Sequence, residues 1–270
     1  MKSNPFEICP IAGALGAEIA GVDLSGDLDD GAVAAIRRAW LDNLVIFFRG
    51  QELAPERFLA FARRFGEVIE YPFIKGIEGF PEITPVVKLE HERVNFGGLW
   101  HTDTAYLECP PMGTMLIARD VPPFGGDTLF ANMYLAYETL SPGMRRLLDG
   151  LVAVNSSAKA DVTKTREDRI RDAAKPDARH EYEARHPVVR THPETGRKAL
   201  YVNGGHTVCF EDMTERRARR CCGSCLPISS ARNSPAASAG KSARSPSGTT
   251  AAPSTTRSTT TTAIAGSCTV

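Results

Sequence analysis

The amino-acid composition changes abruptly near Glu215, and this change limits which part of the chain can build a hydrophobic core. Residues 216–270 contain no Phe, Trp, Tyr, His, Met, Asp or Glu, but they hold seven Arg, one Lys and four of the seven Cys. Residues 1–215 therefore carry 24 basic and 32 acidic groups, a charge of −8, and the tail carries +8. We predict one domain over residues 1–215, followed by a non-native, largely disordered basic tail over residues 216–270.

Composition also narrows the class of protein. The first seven residues include no apolar stretch of signal-peptide length, and no run of about 18 apolar residues occurs in the sequence. We therefore expect a cytoplasmic protein without a membrane span. Nucleic acid is not an expected partner, because the basic tail has no aromatic residue for base stacking. Cys221, Cys222 and Cys225 lack a second Cys/His pair at zinc-site spacing, so a zinc or redox site is not expected there.

Patterns within residues 1–215 predict a mixed fold in which strands dominate. Residues 14–24 partly alternate between apolar and polar, and residues 43–49 form an apolar run of buried-strand length. Two helices are predicted, one beginning at Pro55 and one at Ser141-Pro142. Their expected core faces are Phe58, Phe61, Ala62 and Phe65 in the first, and Met144, Leu147, Leu148 and Leu151 in the second.

Two segments follow the second helix. Residues 156–185 are highly charged and weakly patterned, which indicates a long surface excursion, either a lid or a disordered loop. Residues 187–192 and 199–203 are apolar runs that flank Pro-Glu-Thr-Gly at 193–196. This arrangement predicts a β-hairpin.

The sequence Trp100-His101-Thr102-Asp103 places an imidazole and a carboxylate two residues apart. If this stretch is a strand, both side chains point to the same face. Together they would supply two ligands of the facial triad that leaves open positions on non-haem Fe(II). A zinc hydrolase is a weaker interpretation, because no water-activating Glu lies in a supporting motif.

About 25 residues later, residues 124–130 read Phe-Gly-Gly-Asp-Thr-Leu-Phe. The glycines permit a tight turn, and the Thr128 hydroxyl at its end is a donor that a carboxylate co-substrate would use. A β-turn without any ligand is the alternative interpretation of this short motif.

Taken together, three segments resemble the taurine dioxygenase / 2,4-dichlorophenoxyacetate dioxygenase (TauD/TfdA) family. They are residues 13–24, residues 100–141 and residues 186–203, and the resemblance covers about residues 8–215. It implies a mainly β fold with flanking helices (α+β), a double-stranded β-helix or jelly roll, here incomplete at its C-terminal strands. It also implies an Fe(II)- and 2-oxoglutarate-dependent dioxygenase. Such an enzyme hydroxylates a small organic substrate with O2 and releases succinate and CO2.

The same resemblance assigns roles to individual residues. His101 and Asp103 would be iron ligands, and Thr128 would bind a carboxylate of 2-oxoglutarate. The family's third ligand is a distant His, followed by an Arg for 2-oxoglutarate, and both should lie beyond residue 215. The tail contains no His. His186, which precedes a Pro, His192, beside the hairpin turn, and His206, which matches a substrate-side position, are poor substitutes.

A frameshift near Glu215 would explain the missing ligands. Read in another frame with permitted codons, residues 247–256 can spell WDNRRTQHY, and the sequence up to residue 270 can give the family's closing motif. We hypothesise that the tail is translated in the wrong frame and that the chain holds iron weakly. A non-catalytic jelly-roll binding protein, or pseudoenzyme, is the alternative. Whether the chain forms a homo-oligomer stays open.

The resemblance also bears on the substrate. By the resemblance, Tyr71 and Gly97 match sulfonate-binding residues of taurine dioxygenase, and Ile74 replaces a nearby family Tyr, so polar groups are lost. Taurine or an alkylsulfonate is therefore disfavoured, although it remains an alternative. The candidate substrate residues are Tyr71, Phe73, Ile74, Gly97, Tyr106 and His206. For Phe73, ordinary core packing is an equally good explanation.

Overall fold

The computed structural model describes residues 6–89, 98–122, 127–159, 181–214 and 216–218, and the backbone of residues 261–265. Helices are α1 (Asp30–Asn43), α2 (Pro55–Arg63), α3 (Met133–Glu138) and α4 (Pro142–Leu148). Strands are β1 (Glu7–Pro10), β2 (Ala17–Ala20), β3 (Val45–Arg49), β4 (Thr114–Ile117), β5 (Val152–Ser156), β6 (Glu183–Pro187), β7 (Val189–Thr191), β8 (Lys198–Leu200), β9 (Thr207–Phe210) and β10 (Thr261–Ala265).

The chain divides into two compact units. The first comprises residues 1–58, 115–131 and 234–265, and the second comprises residues 59–114, 132–233 and 266–270. The boundary between domain and tail stays a prediction.

A five-stranded sheet has the order β1-β2-β3-β10-β4. Strand β3 confirms the strand predicted from the apolar run at residues 43–49, and its residues Val45 to Phe48 are all buried. Strand β2 lies within the partly alternating segment 14–24 and pairs in parallel with β3. Strand β10 pairs antiparallel with β3, so five residues of the tail are in a strand where the sequence indicated disorder.

The second unit contains a three-stranded sheet of order β6-β5-β9 and the hairpin β7-β8. The hairpin confirms the prediction, with Val189 opposite Leu200. Gly196 adopts a positive φ of 68° in the turn, a conformation that glycine tolerates at little cost. Next to these sheets lies an apolar cluster of buried residues: Ala136, Tyr137, Leu140, Leu148, Ala153, Val188, Leu200, Val202, Phe210 and Ala218.

Both predicted helices exist, but each ends before the last residue of its predicted face: α2 ends before Phe65 and α4 ends before Leu151. Helix α2 begins at Pro55 as predicted, and α4 follows Ser141, whose hydroxyl accepts a hydrogen bond from the amide of Met144. Leu148 is fully buried in the apolar cluster, but Leu147 is 47% exposed. The prediction that Leu147 faces the core is therefore wrong, because α4 is only seven residues long and buries a narrow stripe.

Helices and strands are present in comparable amounts in the part of the chain that the structure describes, so the fold is mixed. Of the predicted surface excursion at 156–185, residues 160–180 lie outside the described residues. No described helix is long and apolar enough to span a bilayer.

Candidate metal centre

Residues Trp100 to Asp103 form a loop of the second unit, and the prediction of a strand at this position is wrong. The loop turns at Thr104, whose φ is 50°. The two candidate ligand side chains nevertheless face each other. Nε2 of His101 lies 3.0 Å from Oδ1 of Asp103, and both side chains are partly exposed. A turn, rather than strand alternation, brings them together.

The remaining polar atoms of the pair are held by other groups. Nδ1 of His101 lies 2.7 Å from the carbonyl oxygen of Leu99. Because a carbonyl can only accept, Nδ1 carries the proton of this hydrogen bond. The hydroxyl of Thr114 donates to Oδ2 of Asp103 at 2.5 Å. Nε2 of His101 and Oδ1 of Asp103 are therefore the two atoms of the pair that could bind one cation.

This arrangement fits a divalent cation. Two ligands at about 2.1 Å from a metal, at right angles to each other, have donor atoms about 3 Å apart. Metal-bound His residues usually donate their other N–H to a carbonyl or carboxylate, as His101 does here. Without a cation, a proton must join the two atoms. Accordingly, the hydrogen bond that His101 donates to Asp103 raises the pKa of His101, although burial opposes it.

The Asp103 carboxylate is held in its charged form. Burial by itself would raise its pKa, but hydrogen bonds from His101 and Thr114 outweigh burial, so that the pKa of Asp103 lies below its usual value. Metal binding requires an unprotonated carboxylate. The surroundings of Asp103 therefore favour the state that binds a cation.

The turn at residues 203–206 contacts the loop from Trp100 to Asp103, which we call the ligand loop. The amide of Gly205 donates to the carbonyl of Trp100 at 3.0 Å. A Cβ added at Gly205 would lie 3.0 Å from the Cβ of His101, so a larger residue would require one of the two segments to shift by a few tenths of an ångström. Asn203 accepts a hydrogen bond from the amide of His206 at 2.7 Å, and this bond closes the turn.

A buried polar network anchors that turn to the sheet. The hydroxyl of Thr207 donates to Oδ1 of Asn155 on β5 at 2.8 Å and accepts from the amide of Asn203 at 3.0 Å. Asn155 is fully buried and Thr207 nearly so. Buried hydrogen bonds of this kind favour one unique arrangement. The network therefore links β5 to the turn that contacts the loop of His101.

His206 lies beside the pair. Its ring centroid is 6.2 Å from that of His101 and 4.9 Å from that of Tyr106. Burial and the nearby His101 lower the pKa of His206 to about 4, so its ring is neutral near pH 7. Its Nδ1 has no hydrogen-bond partner among the described residues.

The described residues supply no third ligand. No group of three or more His, Cys, Asp or Glu side chains in the described segments could hold a metal ion. Nε2 of His186 is engaged with the carbonyl of Leu107 at 2.9 Å. Nδ1 of His192 accepts from the amides of Glu194 and Thr195 in the hairpin turn. One ring nitrogen of each histidine is therefore engaged in hydrogen bonds with the backbone.

An aromatic cluster next to His206 contains four of the predicted substrate residues. Phe73, Ile74 and Tyr106 are buried together, and Tyr71 packs against them. Tyr182, which sequence analysis missed, has its ring centroid 5.6 Å from that of Phe73. Burial, reinforced by the neighbouring Tyr71, raises the pKa of Tyr106, so its hydroxyl stays protonated. The cluster is therefore a packed group of aromatic and apolar side chains that includes three phenol rings.

Two predicted site residues are not placed in this group. Thr128 is exposed and belongs to the first unit, whereas His101 and Asp103 belong to the second. Its role stays a prediction. Gly97 and the two glycines before Thr128 lie outside the described residues. Thr114, Gly205 and Asn203 were not anticipated, and only their contacts with the ligand loop reveal them.

Comparisons with known proteins identify the family of this chain. The sequence matches the family described as "Taurine catabolism dioxygenase TauD, TfdA family" over residues 7–222, which is most of the chain. The chain belongs to this family. Members named among its relatives are α-ketoglutarate-dependent dioxygenases, which implies Fe(II) and 2-oxoglutarate as cofactor and co-substrate.

Two curated relatives illustrate the range of the family. An α-ketoglutarate-dependent sulfate ester dioxygenase of Pseudomonas putida is 38% identical over 210 residues, 75% of this chain and 67% of the relative. The (S)-phenoxypropionate/α-ketoglutarate dioxygenase of Sphingobium herbicidovorans is 32% identical over 234 residues, 81% of this chain and 77% of the relative. The chain thus spans about two thirds of the length of the first.

A solved structure shares the fold. The crystal structure of a taurine dioxygenase from Burkholderia xenovorans matches with a TM-score of 0.74 and 28% sequence identity. The match covers 98% of this chain and 80% of that one. The prediction of family membership, made from sequence motifs, is confirmed.

Proposed function

We propose that this chain is a dioxygenase of the TauD/TfdA family that binds Fe(II) at His101 and Asp103 and hydroxylates a small organic substrate. The observation that carries the proposal is the 3.0 Å separation of Nε2 and Oδ1, with the other atoms of both side chains turned away and hydrogen-bonded. The proposed fold is the double-stranded β-helix. The likeness to a solved taurine dioxygenase supports it.

The cofactor supplies the oxidation. With 2-oxoglutarate and O2, bound Fe(II) permits loss of CO2, formation of succinate and transfer of one oxygen atom to a C–H bond of the substrate. The protein supplies position. His101 and Asp103 hold the cation, and we propose that Thr128 donates a hydrogen bond to a carboxylate of 2-oxoglutarate.

The dioxygenase activity of this chain, with its present tail, should be low. The described residues offer two ligands where a facial triad requires three, and residues 216–270 contain no His. The Arg that would pair with the distal carboxylate of 2-oxoglutarate is also missing if the tail is frameshifted. The missing His would weaken the binding of iron. The missing Arg would weaken the binding of 2-oxoglutarate, because bidentate Arg–carboxylate pairs are among the stronger charged hydrogen bonds.

The surroundings favour a substrate with an apolar or aromatic body. Phe73, Ile74 and Tyr106 are buried together, and Tyr71 and His206 contact the Tyr106 side of the cluster. One relative is named for phenoxypropionate, which has an aromatic ring that could pack against such a cluster. A sulfate ester, taurine or another alkylsulfonate is the alternative. The contribution of Gly97 stays a prediction.

Succinate release tests the activity directly. The chain as written and a frame-corrected chain are incubated with Fe(II), O2, 2-oxoglutarate and either a phenoxyalkanoate or an alkyl sulfate. We expect 2-oxoglutarate-dependent succinate release from the corrected chain and little from the chain as written. His101→Ala in the corrected chain should abolish it. Release that survives this substitution would refute the metal assignment.

A non-catalytic binding protein is the second candidate function. It is favoured by one observation: the described residues contain no third metal ligand. If neither chain releases succinate, but both bind a phenoxyalkanoate with similar affinity in calorimetry, this second function replaces the first.

A further inference from the structure

The two oxygens of the Asp103 carboxylate have different partners. Oδ1 faces Nε2 of His101, whereas Oδ2 accepts the hydrogen bond from the Thr114 hydroxyl. Thr114 is the first residue of β4 and lies eleven positions after Asp103. The first residue of β4 therefore holds the Asp103 carboxylate. The Thr114 hydroxyl restricts rotation of this carboxylate about the Cβ–Cγ bond.

A carboxylate can bind a cation through one oxygen or through both. Bidentate binding would require Oδ2 to turn towards the cation and to leave Thr114. We infer that Thr114 is a positioning residue, which holds Oδ2 so that Asp103 would offer only Oδ1 to a cation beside His101. This inference rests on the proposed metal site, but it concerns how the protein controls that site.

The other supports of the pair come from the backbone. The carbonyl of Leu99 orients His101, and the amide of Gly205 holds the carbonyl of Trp100. Of the hydrogen bonds that the structure gives to His101 and Asp103 from outside the pair, the one from Thr114 alone comes from a side chain. Thr114 is therefore the residue through which carboxylate position can be changed by substitution without removing a ligand.

Thr114→Val is the decisive variant, because valine has the shape of threonine and lacks the hydroxyl. Groups that orient metal ligands typically contribute about 10- to 100-fold to metal affinity. We expect Thr114→Val to weaken binding of Mn²⁺ by about that factor in calorimetry. We also expect the visible absorption of bound Co²⁺ to change, since the carboxylate would no longer be held in one orientation.

Thr84→Val is a matched control. The Thr84 hydroxyl is buried and has no hydrogen-bond partner among the described residues, so its removal should leave Mn²⁺ affinity and the Co²⁺ spectrum as in the unchanged chain. Thr114→Ser restores a hydroxyl and should recover most of the affinity. Thr114→Ala provides the same test if valine prevents folding, which circular dichroism in EDTA would reveal.

The outcomes separate this inference from the metal assignment. If the unchanged chain binds Mn²⁺ and His101→Ala does not, while Thr114→Val and Thr114→Ala keep the unchanged affinity and Co²⁺ spectrum, the positioning role is overturned and the metal site stands. If the unchanged chain and His101→Ala bind Mn²⁺ equally, both proposals are overturned. Weaker binding in Thr114→Val, recovered in Thr114→Ser, supports the positioning role.

Discussion

The apolar cluster around Leu148 and the loop that carries His101 and Asp103 belong to the same compact unit, but different forces hold them. The apolar cluster is stabilised by burial of hydrocarbon, and Leu148 is completely inaccessible. The ligand loop is partly exposed and is held by a hydrogen bond to the carbonyl of Leu99 and by hydrogen bonds from Thr114 and Gly205. Stability and metal binding should therefore respond to different substitutions.

Leu148→Ala should produce the largest loss of stability. Truncation of a buried leucine removes apolar contacts and leaves a cavity, at a cost of about 2–5 kcal/mol in the free energy of unfolding. Urea denaturation followed by circular dichroism measures it. The adjacent Leu147 is 47% exposed, and Leu147→Ala should change stability by less than about 0.5 kcal/mol. Equal losses in both variants would contradict the assigned face of α4.

Asp103→Asn should weaken metal binding strongly and change stability little, the reverse of Leu148→Ala. The amide keeps the shape of the side chain but removes the charge that a cation requires, so Mn²⁺ affinity should fall at least about 100-fold, or about 2.7 kcal/mol. The free energy of unfolding in EDTA should change much less than in Leu148→Ala. Calorimetric titration with Mn²⁺ checks the first expectation.

Asp149→Asn is the matched control for that experiment. Asp149 is a carboxylate of the same unit that pairs with Lys198 at 3.1 Å. Its loss should leave Mn²⁺ affinity unchanged. If both substitutions weakened binding equally, the effect would reflect general electrostatics rather than a site at Asp103.

Gly205→Ala tests whether the two regions are independent. The added Cβ would lie 3.0 Å from His101 Cβ and 3.4 Å from the Trp100 carbonyl oxygen, so the ligand loop must shift by a few tenths of an ångström. We expect a stability loss near the lower end of the ~1–3 kcal/mol typical of overpacking and about tenfold weaker Mn²⁺ binding.

Gly143→Ala provides the comparison for that substitution. No atom lies within 4 Å of a Cβ built at Gly143 in α4. Because alanine favours helix, this variant should be unchanged or slightly more stable. Unaltered Mn²⁺ affinity in Gly205→Ala would show that the turn at residues 203–206 does not position His101.

The sequence predicted elements whose signals are local. The turn residues at 193–196 and the Ser-Pro pair before α4 act within a few residues, and both predictions are confirmed. The contacts of the ligand loop depend on residues distant in the chain. Thr114 and Gly205 reach that loop from 11 and 105 residues away, so no periodicity reveals them. The pair itself was predicted from a strand that does not form.

Ser141→Ala should give the smallest effect and should affect only stability. The Ser141 hydroxyl accepts a hydrogen bond from the Met144 amide at 3.4 Å, which is long, so the loss should lie near the low end of the ~0.5–2 kcal/mol range for N-cap residues. Helix α4 carries Leu148 into the apolar cluster but contributes no residue to the ligand loop. Thermal unfolding should therefore show a small decrease that Ser141→Asp reverses, while Mn²⁺ affinity stays constant. A change in Mn²⁺ affinity would mean that the apolar cluster and the ligand loop are coupled, because the cap has no direct contact with His101 or Asp103 through which it could act otherwise.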